Sequence, residues 1–428
     1  MFDKIRQRIE EARLYTLHQR SLRTIQKWQA EKLRQLVAHV VETVPLYKTW
    51  YGDASISAAS MRSIDDLSRL PILKKEMFLG RVVDECIDST RELRGAWRTT
   101  SGTSGKPFTA LGSDISTNSN YNDFTHYRFI WWKEGMLNNI SSMRIASIKV
   151  RGNSYLNRLF IPVEEWMIDP VQVFSSLSEF DPYILSSYSS ILIGLASYIR
   201  LRRPSQMLAP RYIVSFGESL SPLAHAFVSE TLGCEVYDRY GTDELGSIAV
   251  ECPQHNGMHI NSESFIVEVV DELYMPCDLG INGRIIVTDL FNYNMPFIRY
   301  DTGDYGKLAV EPCACGLNTP RLFIGGRYSA SLRFGKRTVH HLEFDGAMDI
   351  FMNSVFQYQF IKIAEDSLRI DIVPGLAFSE KVAEDINERV HALVGPEVNI
   401  KIQRVAFIRP TPRGKSRIVM DKSVPSDT

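Results

Sequence analysis

The sequence has no uninterrupted apolar run of about 18 residues, so no membrane-spanning helix is expected. Its beginning, Met1 to Arg23, alternates charged and apolar side chains and lacks the apolar stretch of a secretion signal. A cytoplasmic protein without a membrane partner is the expectation. Charge of one sign is not in excess: 49 Lys and Arg face 50 Asp and Glu, a net −1. Without a basic surplus or basic–aromatic clustering, a nucleic-acid partner is not expected. Six cysteines are too sparse in 428 residues for a disulfide framework. Internal repeats and low-complexity tracts are missing too, which argues against solenoids and disordered linkers.

What is present is a long chain with 44% hydrophobic side chains, enough for two domains. Leu22, Ile25, Trp28, Leu33, Leu36, Val37, Val40 and Val41 recur at helical spacing. Pro45 should end that helix near Thr43 or Val44. A short unit punctuated by Pro71 follows at Ile64 to Leu79. Ile184 to Leu201 reads as an amphipathic helix, Arg211 to Phe216 as a buried strand, Ser221 to Leu232 as a helix and Cys234 to Tyr237 as a strand. That order predicts a parallel sheet with crossover helices. Beyond about residue 258 the alternation of Phe265, Val267 and Val269, and of Arg284 to Asp289, predicts antiparallel sheet, with Asn282-Gly283 as a turn. Leu368 to Val373, Phe378 to Leu393 and Val398 to Phe407 read as strand, helix and strand of a small α+β domain. The fold class expected is therefore α/β: a large N-terminal domain of mixed sheets and helices over 1–326, and a small mobile α+β domain over 327–428.

The chemistry-bearing segments are glycine-containing turns. Thr99 to Pro107 reads TTSGTSGKP, in which glycines let backbone N–H groups converge on an anion and Lys106 adds charge. An ordinary surface loop is the other reading. A Walker-type loop is not, because Thr100 holds the position of its first glycine and Pro107 follows the lysine. FGESLSP (Phe216 to Pro222) and YDRYGTDELG (Tyr237 to Gly246) sit at predicted strand exits, where open α/β sheets bind ligands. There Tyr240 could stack on a purine and Glu244 could hold Mg²⁺. In YDTGDYG (Tyr300 to Gly306), an aspartate on a tight turn can accept both hydroxyls of a ribose, and Asp304 is the candidate. PTPRGKSR (Pro410 to Arg417) places Lys415 in a Gly/Pro loop. Each of these, alone, also reads as a solvated turn.

Taken in order, the segments resemble the adenylate-forming (ANL) superfamily, and within it the phenylacetate–CoA ligase family with its capsule-biosynthesis relatives. Val44-Pro45-Leu46-Tyr47, Leu70-Pro71-Ile72-Leu73-Lys74 and FDPYILSSYSS (Phe180 to Ser190) are similar to that family's landmarks. So are TTSGTSGKP, YGTDE, MPFIRYDTGD and GKSR. The resemblance implies an ATP-dependent, AMP-forming carboxylate ligase. Ser101, Gly102, Thr103, Ser104, Gly105 and Lys106 would wrap the phosphates. Gly217, Glu218, Asp238, Tyr240 and Gly241 would frame the adenine. Glu244 would bind Mg²⁺, Asp304 would hold the ribose with Arg327 nearby, and Lys415 would meet the carboxylate and α-phosphate. Two departures stand out. Asp243 occupies a position where the family usually carries Ser or Thr. Ser329 and Ala330 stand where relatives usually carry two aspartates, in the hinge of the C-terminal lid.

Cys252, His259, Cys313 and Cys315 have the donor set of a tetrahedral structural zinc site, with buried free thiols as the other reading and His255 as a rival to His259. Some members of the resembled family carry zinc at matching positions, which favours Zn²⁺. Cys86, Cys234 and Cys277 read as ordinary buried thiols. The acid pocket is expected near Tyr121, Phe124, Tyr127, Phe129, Trp131 and Trp132; most of these read as core packing, and an aryl or apolar acid is the expected substrate. The acceptor expected is CoA, with an amine or hydroxyl as the alternative. A non-catalytic nucleotide-binding protein is disfavoured by Glu244, Asp304 and Lys415 together. The resemblance also suggests a homodimer.

Overall fold

The computed structural model describes residues 16–90, 92–93, 95–99, 108–117, 119–133, 143–150, 152–218, 220–327, 331–351, 354–375, 377–408 and 418–423. Ser101 to Lys106, Ser329, Ala330 and Lys415 lie outside the described residues. Among the described residues no helix is long and apolar enough to cross a membrane. The chain forms two compact units: Met1–Ile140 with Arg239–Gly325, and Ser141–Asp238 with Gly326–Thr428.

In the first unit the helix Leu22–Thr43 starts at Ser21, whose hydroxyl accepts from the Thr24 amide, and ends before Pro45 as its sequence predicts. Pro45 then opens a second helix, Pro45–Asp53, where its missing N–H costs nothing. Leu33, Leu36, Val37 and Val40 are buried in a core shared with Ile285, Val287 and Tyr300. The strands of this unit lie side by side in the order Phe265–Val270, Gly283–Asp289, Tyr300–Leu308, Arg321–Arg327 (as far as Gly325), Met258–Ile260, Gly246–Glu251 and Glu235–Thr242 (from Arg239 on). The pairs Phe265–Val270 with Gly283–Asp289, and Gly283–Asp289 with Tyr300–Leu308, are antiparallel, as the alternation predicts. Arg299 anchors the Leu70-Pro71 landmark to this sheet. It takes the left-handed φ of 50° and donates from Nη1 to the Leu70 carbonyl at 2.6 Å, while its guanidinium pairs with Glu268 at 3.0 Å.

In the second unit Ile145–Lys149, Arg158–Pro162, Ile184–Ser187 and Tyr212–Phe216 form parallel pairs. One expectation fails here. Ile184 to Ser187 is a fully buried strand, and the helix runs only over Ser189–Arg202. A short apolar run with both faces covered has no period to separate strand from helix. Ser221 caps the helix Pro222–Leu232, with Pro222 at its first position, as expected. Residues beyond Gly326 have their own core around Phe344, Phe360, Ile370 and Val390. Their four-stranded sheet runs Asn399–Arg404, Ser367–Pro374, Val355–Ala364, Val419–Asp421, with Glu380–Val394 as the helix. Ser367–Pro374 and Asn399–Arg404 are parallel, the predicted strand–helix–strand unit. Phe227 packs on Phe356 with ring centroids 4.4 Å apart, joining the two segments of this unit.

Candidate functional site

Two motifs fold differently from their expected form, and the difference positions their side chains. YDRYGT is not a strand exit: the strand Glu235–Thr242 runs through it, and Asp243, Glu244 and Leu245 form the turn before Gly246–Glu251. Thr242 and Gly246 face each other across that turn. Gly246 has a φ of +80°, which strains any side chain there, and a Cβ on Gly241 would lie 2.2 Å from the Gly246 carbonyl oxygen and collide with it. The second motif, YDTGD, is not a tight turn but an irregular stretch of the strand Tyr300–Leu308. Ile286 opposes Asp301 while Arg284 opposes Tyr305, and Gly303 has a φ of +74° within the resulting bulge. Bulges re-aim side chains at sites.

The bulge gives its two aspartates different surroundings. Asp301 accepts from Arg284 Nε at 3.0 Å and Nη2 at 2.6 Å, and from the Gly303 amide at 2.9 Å. It is thus a structural acid. Asp304 is buried and accepts from the Tyr240 hydroxyl at 2.7 Å, so the structure brings together Tyr240 and Asp304. The Tyr300 hydroxyl donates to Glu244 Oε1 at 3.0 Å. Neither contact joins neighbours in sequence, and no spacing rule identifies Tyr300 as a partner of Glu244.

In the second unit, Gly217 takes a φ of +77° directly after the strand Tyr212–Phe216. Glu218 accepts from the Ser190 amide at 2.8 Å, and its backbone carbonyl accepts from the Ser189 hydroxyl at 3.1 Å. The Gly217-Glu218 turn is therefore fixed to the N-terminus of Ser189–Arg202, where a carboxylate complements the exposed amides. Asp238 is half-buried within Glu235–Thr242. Arg327 is half-buried at the end of Arg321–Arg327. Gly326 beside it has a φ of +117°, and a Cβ there would lie 2.1 Å from His341 Nε2.

The cysteine–histidine cluster assembles. One ligand atom from each of Cys252, His259, Cys313 and Cys315 lies within 4.8 Å of the others. The sulfurs of Cys252 and Cys313 are 3.6 Å apart, and Cys315 Sγ is 3.3 Å from His259 Nε2. A tetrahedron with Zn–S bonds of about 2.3 Å has edges of about 3.8 Å, so the donors fit such an ion. His259 Nδ1 faces the Thr319 hydroxyl at 2.9 Å and carbonyl at 3.1 Å, which orients the ring and leaves Nε2 for a metal. Burial pushes His259 down to about 4, so the imidazole is in its neutral, ligating form at physiological pH. His255, the rival, instead lies 3.1 Å from Glu251. Of the remaining thiols Cys86 is buried, whereas Cys234 and Cys277 are only half-buried.

Near this cluster the structure shows something the sequence does not announce. Asn261, Ser262, Glu263 and Ser264 are all buried, and other elements converge on them. Trp28 Nε1 donates to the Glu263 carbonyl at 3.0 Å, and Gln29 to those of Ser262 and Phe265 at 3.0 and 2.9 Å. From the helix Ser119–Lys133, which kinks at Tyr127, Arg128 pairs with Glu263 and Tyr121 bonds Ser264. The Arg128 and Glu263 side chains are 1% and 0% exposed. Tyr121, Phe124, Tyr127 and Phe129 on this helix are buried core side chains. The side chains of Trp131 and Trp132 lie outside the described residues.

Comparison with known proteins agrees with the motif-based resemblance. The family model for the CapK C-terminal domain matches residues 333–422. The chain is 26% identical over 414 residues to a phenylacetate–coenzyme A ligase of Thermus thermophilus, covering 89% of each chain. It is 22% identical over 340 residues to protein CapK of Staphylococcus aureus, covering 75% of this chain and 73% of that one. Among solved structures, a 2-hydroxyisobutyryl-CoA ligase in its postadenylation state aligns with a TM-score of 0.71 at 20% identity, over 92% of this chain and 89% of the other. The mixed α/β architecture is thus the fold of that CoA ligase.

Proposed function

We propose that this chain, a relative of the phenylacetate–CoA ligases and of CapK with the adenylate-forming fold, spends ATP to convert a carboxylic acid to its acyl-AMP with release of pyrophosphate. The observation that carries the reading is the pair of unlinked contacts Tyr240–Asp304 and Tyr300–Glu244. They bring the aromatic–glycine–acid motif and the ribose motif onto one sheet, within one unit. Asp304 accepts the ribose hydroxyls, Tyr240 flanks the base, and Glu244 supplies an oxygen to Mg²⁺ beside the phosphates. The family resemblance assigns Gly217, Glu218, Asp238 and Gly241 to the adenine and Arg327 to the ribose. Ser101 to Lys106 hold the triphosphate, and Lys415, carried by a lid of residues 327–428, stabilises charge developing at the α-phosphate.

The acyl group then passes to CoA as a thioester. The Thermus thermophilus and 2-hydroxyisobutyryl relatives are both named as CoA ligases, which supports that acceptor over an amine or hydroxyl. An aryl or apolar acid remains the proposed substrate. Tyr121, Phe124, Tyr127 and Phe129 are core packing, so the support for an aryl acid comes from the phenylacetate relatives. The test is carboxylate-dependent ATP–pyrophosphate exchange over a panel of phenylacetate, benzoates and branched aliphatic and hydroxy acids. Exchange with at least one acid is expected, and silence across the panel rejects the reading. Product analysis with CoA, amines and alcohols then identifies the acceptor; AMP release that needs an amine and ignores CoA rejects the thioester.

Cys252, His259, Cys313 and Cys315 hold a structural Zn²⁺. Four protein donors leave no open position, so the ion staples the strands around Met258–Ile260 rather than reacting. Metal analysis of protein purified without chelator should find about one zinc per chain. Cys313→Ser should lose the metal and lower the thermal midpoint. A metal-free wild type of unchanged stability would reject the site.

A further inference from the structure

Asp243 places a second carboxylate next to Glu244, in a turn that the proposed function sets beside an ATP triphosphate. Two adjacent anions there oppose nucleotide binding unless a cation offsets one of them. The structure supplies one from another strand. Arg98 lies in the strand Trp97–Thr99, which pairs with Thr109–Leu111. Its guanidinium reaches the turn: Nη1 is 3.5 Å from where a Cβ on Gly246 would stand. The space left by that glycine is thus where the arginine approaches the turn. A side chain on Gly246 would be strained at φ +80°, and its Cβ would stand in van der Waals contact with the guanidinium.

We propose that Arg98 is the counter-charge of Asp243, a positioning residue that holds the Asp243-Glu244-Leu245 turn and keeps its net charge compatible with a bound Mg–nucleotide. The inference rests on the adenylation reading for the nucleotide but not for the pairing. Burial pushes the half-buried Arg98 below its usual range, and the carboxylates of Asp243 and then Asp289 act against that. Asp289 is the lesser counter-ion. Burial pushes its carboxyl up to about 7, and the amides of Phe291 and Asn292 already bond it at 2.9 and 3.2 Å. Asp243 is half-buried at the turn. Arg98 also stands three positions before Ser101 in sequence. The pairing therefore ties the strand leading into the glycine-rich loop to the turn that carries Glu244.

The test is a double-mutant cycle of Arg98→Ala and Asp243→Ser, with Arg98→Lys as the charge-keeping control. Arg98→Ala should raise the KM for Mg–ATP in pyrophosphate exchange by about tenfold, a loss of about 1.4 kcal/mol, with a smaller change in kcat. Asp243→Ser in that background should restore the KM to within about threefold of wild type, because the uncompensated anion is gone. Arg98→Lys should retain most of the affinity. An unchanged KM in Arg98→Ala, or a double variant as impaired as Arg98→Ala, overturns the proposal. If the wild type shows no exchange with any acid, the adenylation reading fails, and thermal unfolding of the same variants decides the pairing. Recovery of the melting temperature in the double variant upholds it, and additive losses overturn it.

Discussion

Replacing Lys415 with alanine is expected to lower carboxylate-dependent pyrophosphate exchange by about 10²- to 10³-fold, the usual cost of removing one charge stabiliser from a transition state. In the forward reaction a carboxylate oxygen attacks the α-phosphorus and the bond to pyrophosphate breaks. Negative charge builds on the phosphoryl oxygens, and a positive group aimed there is stronger in the transition state than in the ground state. The loss should therefore fall on kcat, with the KM for ATP changed little, because the ATP contacts proposed for Glu244, Asp304 and Ser101 to Lys106 do not depend on Lys415. Lys415→Arg should recover only part of the rate, since a guanidinium does not place its charge as an ammonium does. Consumption of supplied acyl-AMP by the acceptor should be spared, because that step makes no new bond to the α-phosphorus. A loss below about tenfold in exchange would remove Lys415 from the mechanism.

The second large effect concerns stability. Arg128→Met should destabilise the protein by about 3–5 kcal/mol, because it leaves Glu263 as an uncompensated buried carboxylate. The double variant Arg128→Met/Glu263→Gln should recover much of this, since a neutral pair avoids the desolvation cost of a lone charge. Burial already pushes the Glu263 carboxyl up, with Arg128 acting against it. Without Arg128 it rises further. A carboxyl raised in the folded state favours folding below its unfolded pKa and loses that advantage as pH rises through the folded value. The single variant should thus be more damaged at pH 8 than at pH 5, and the double variant should show no such difference. Denaturant unfolding at the two pH values reads both. A cost below about 1 kcal/mol at pH 8 would show that the pair is not held out of water.

Both predictions touch the boundary between what the residues announce and what the fold arranges. The helix Leu22–Thr43 was legible because its period, its Ser21 cap and Pro45 agree. The strand Ile184–Ser187 was not, since four buried residues in a row carry no period. The ribose motif was legible as a motif but not as a bulge. Its register shift depends on how Arg284 and Ile286 lie against Asp301 and Tyr305.

The sequence by itself determined the helices Leu22–Thr43 and Pro222–Leu232, the antiparallel run beyond residue 258, the positions of the glycine-containing motifs and the donor types of the cysteine–histidine set. These follow from local chemistry: capping, the limits of proline and glycine, and periodic burial. Only the tertiary structure decided which aspartate of YDTGD is committed to Arg284 and which meets Tyr240. It also put His259 rather than His255 beside the three cysteines, set Arg128 against Glu263, and brought Arg98 close to Gly246. Those pairings join residues far apart in the chain, and their strength comes from burial. A linear sequence carries the charges but not the loss of water that makes each need its partner.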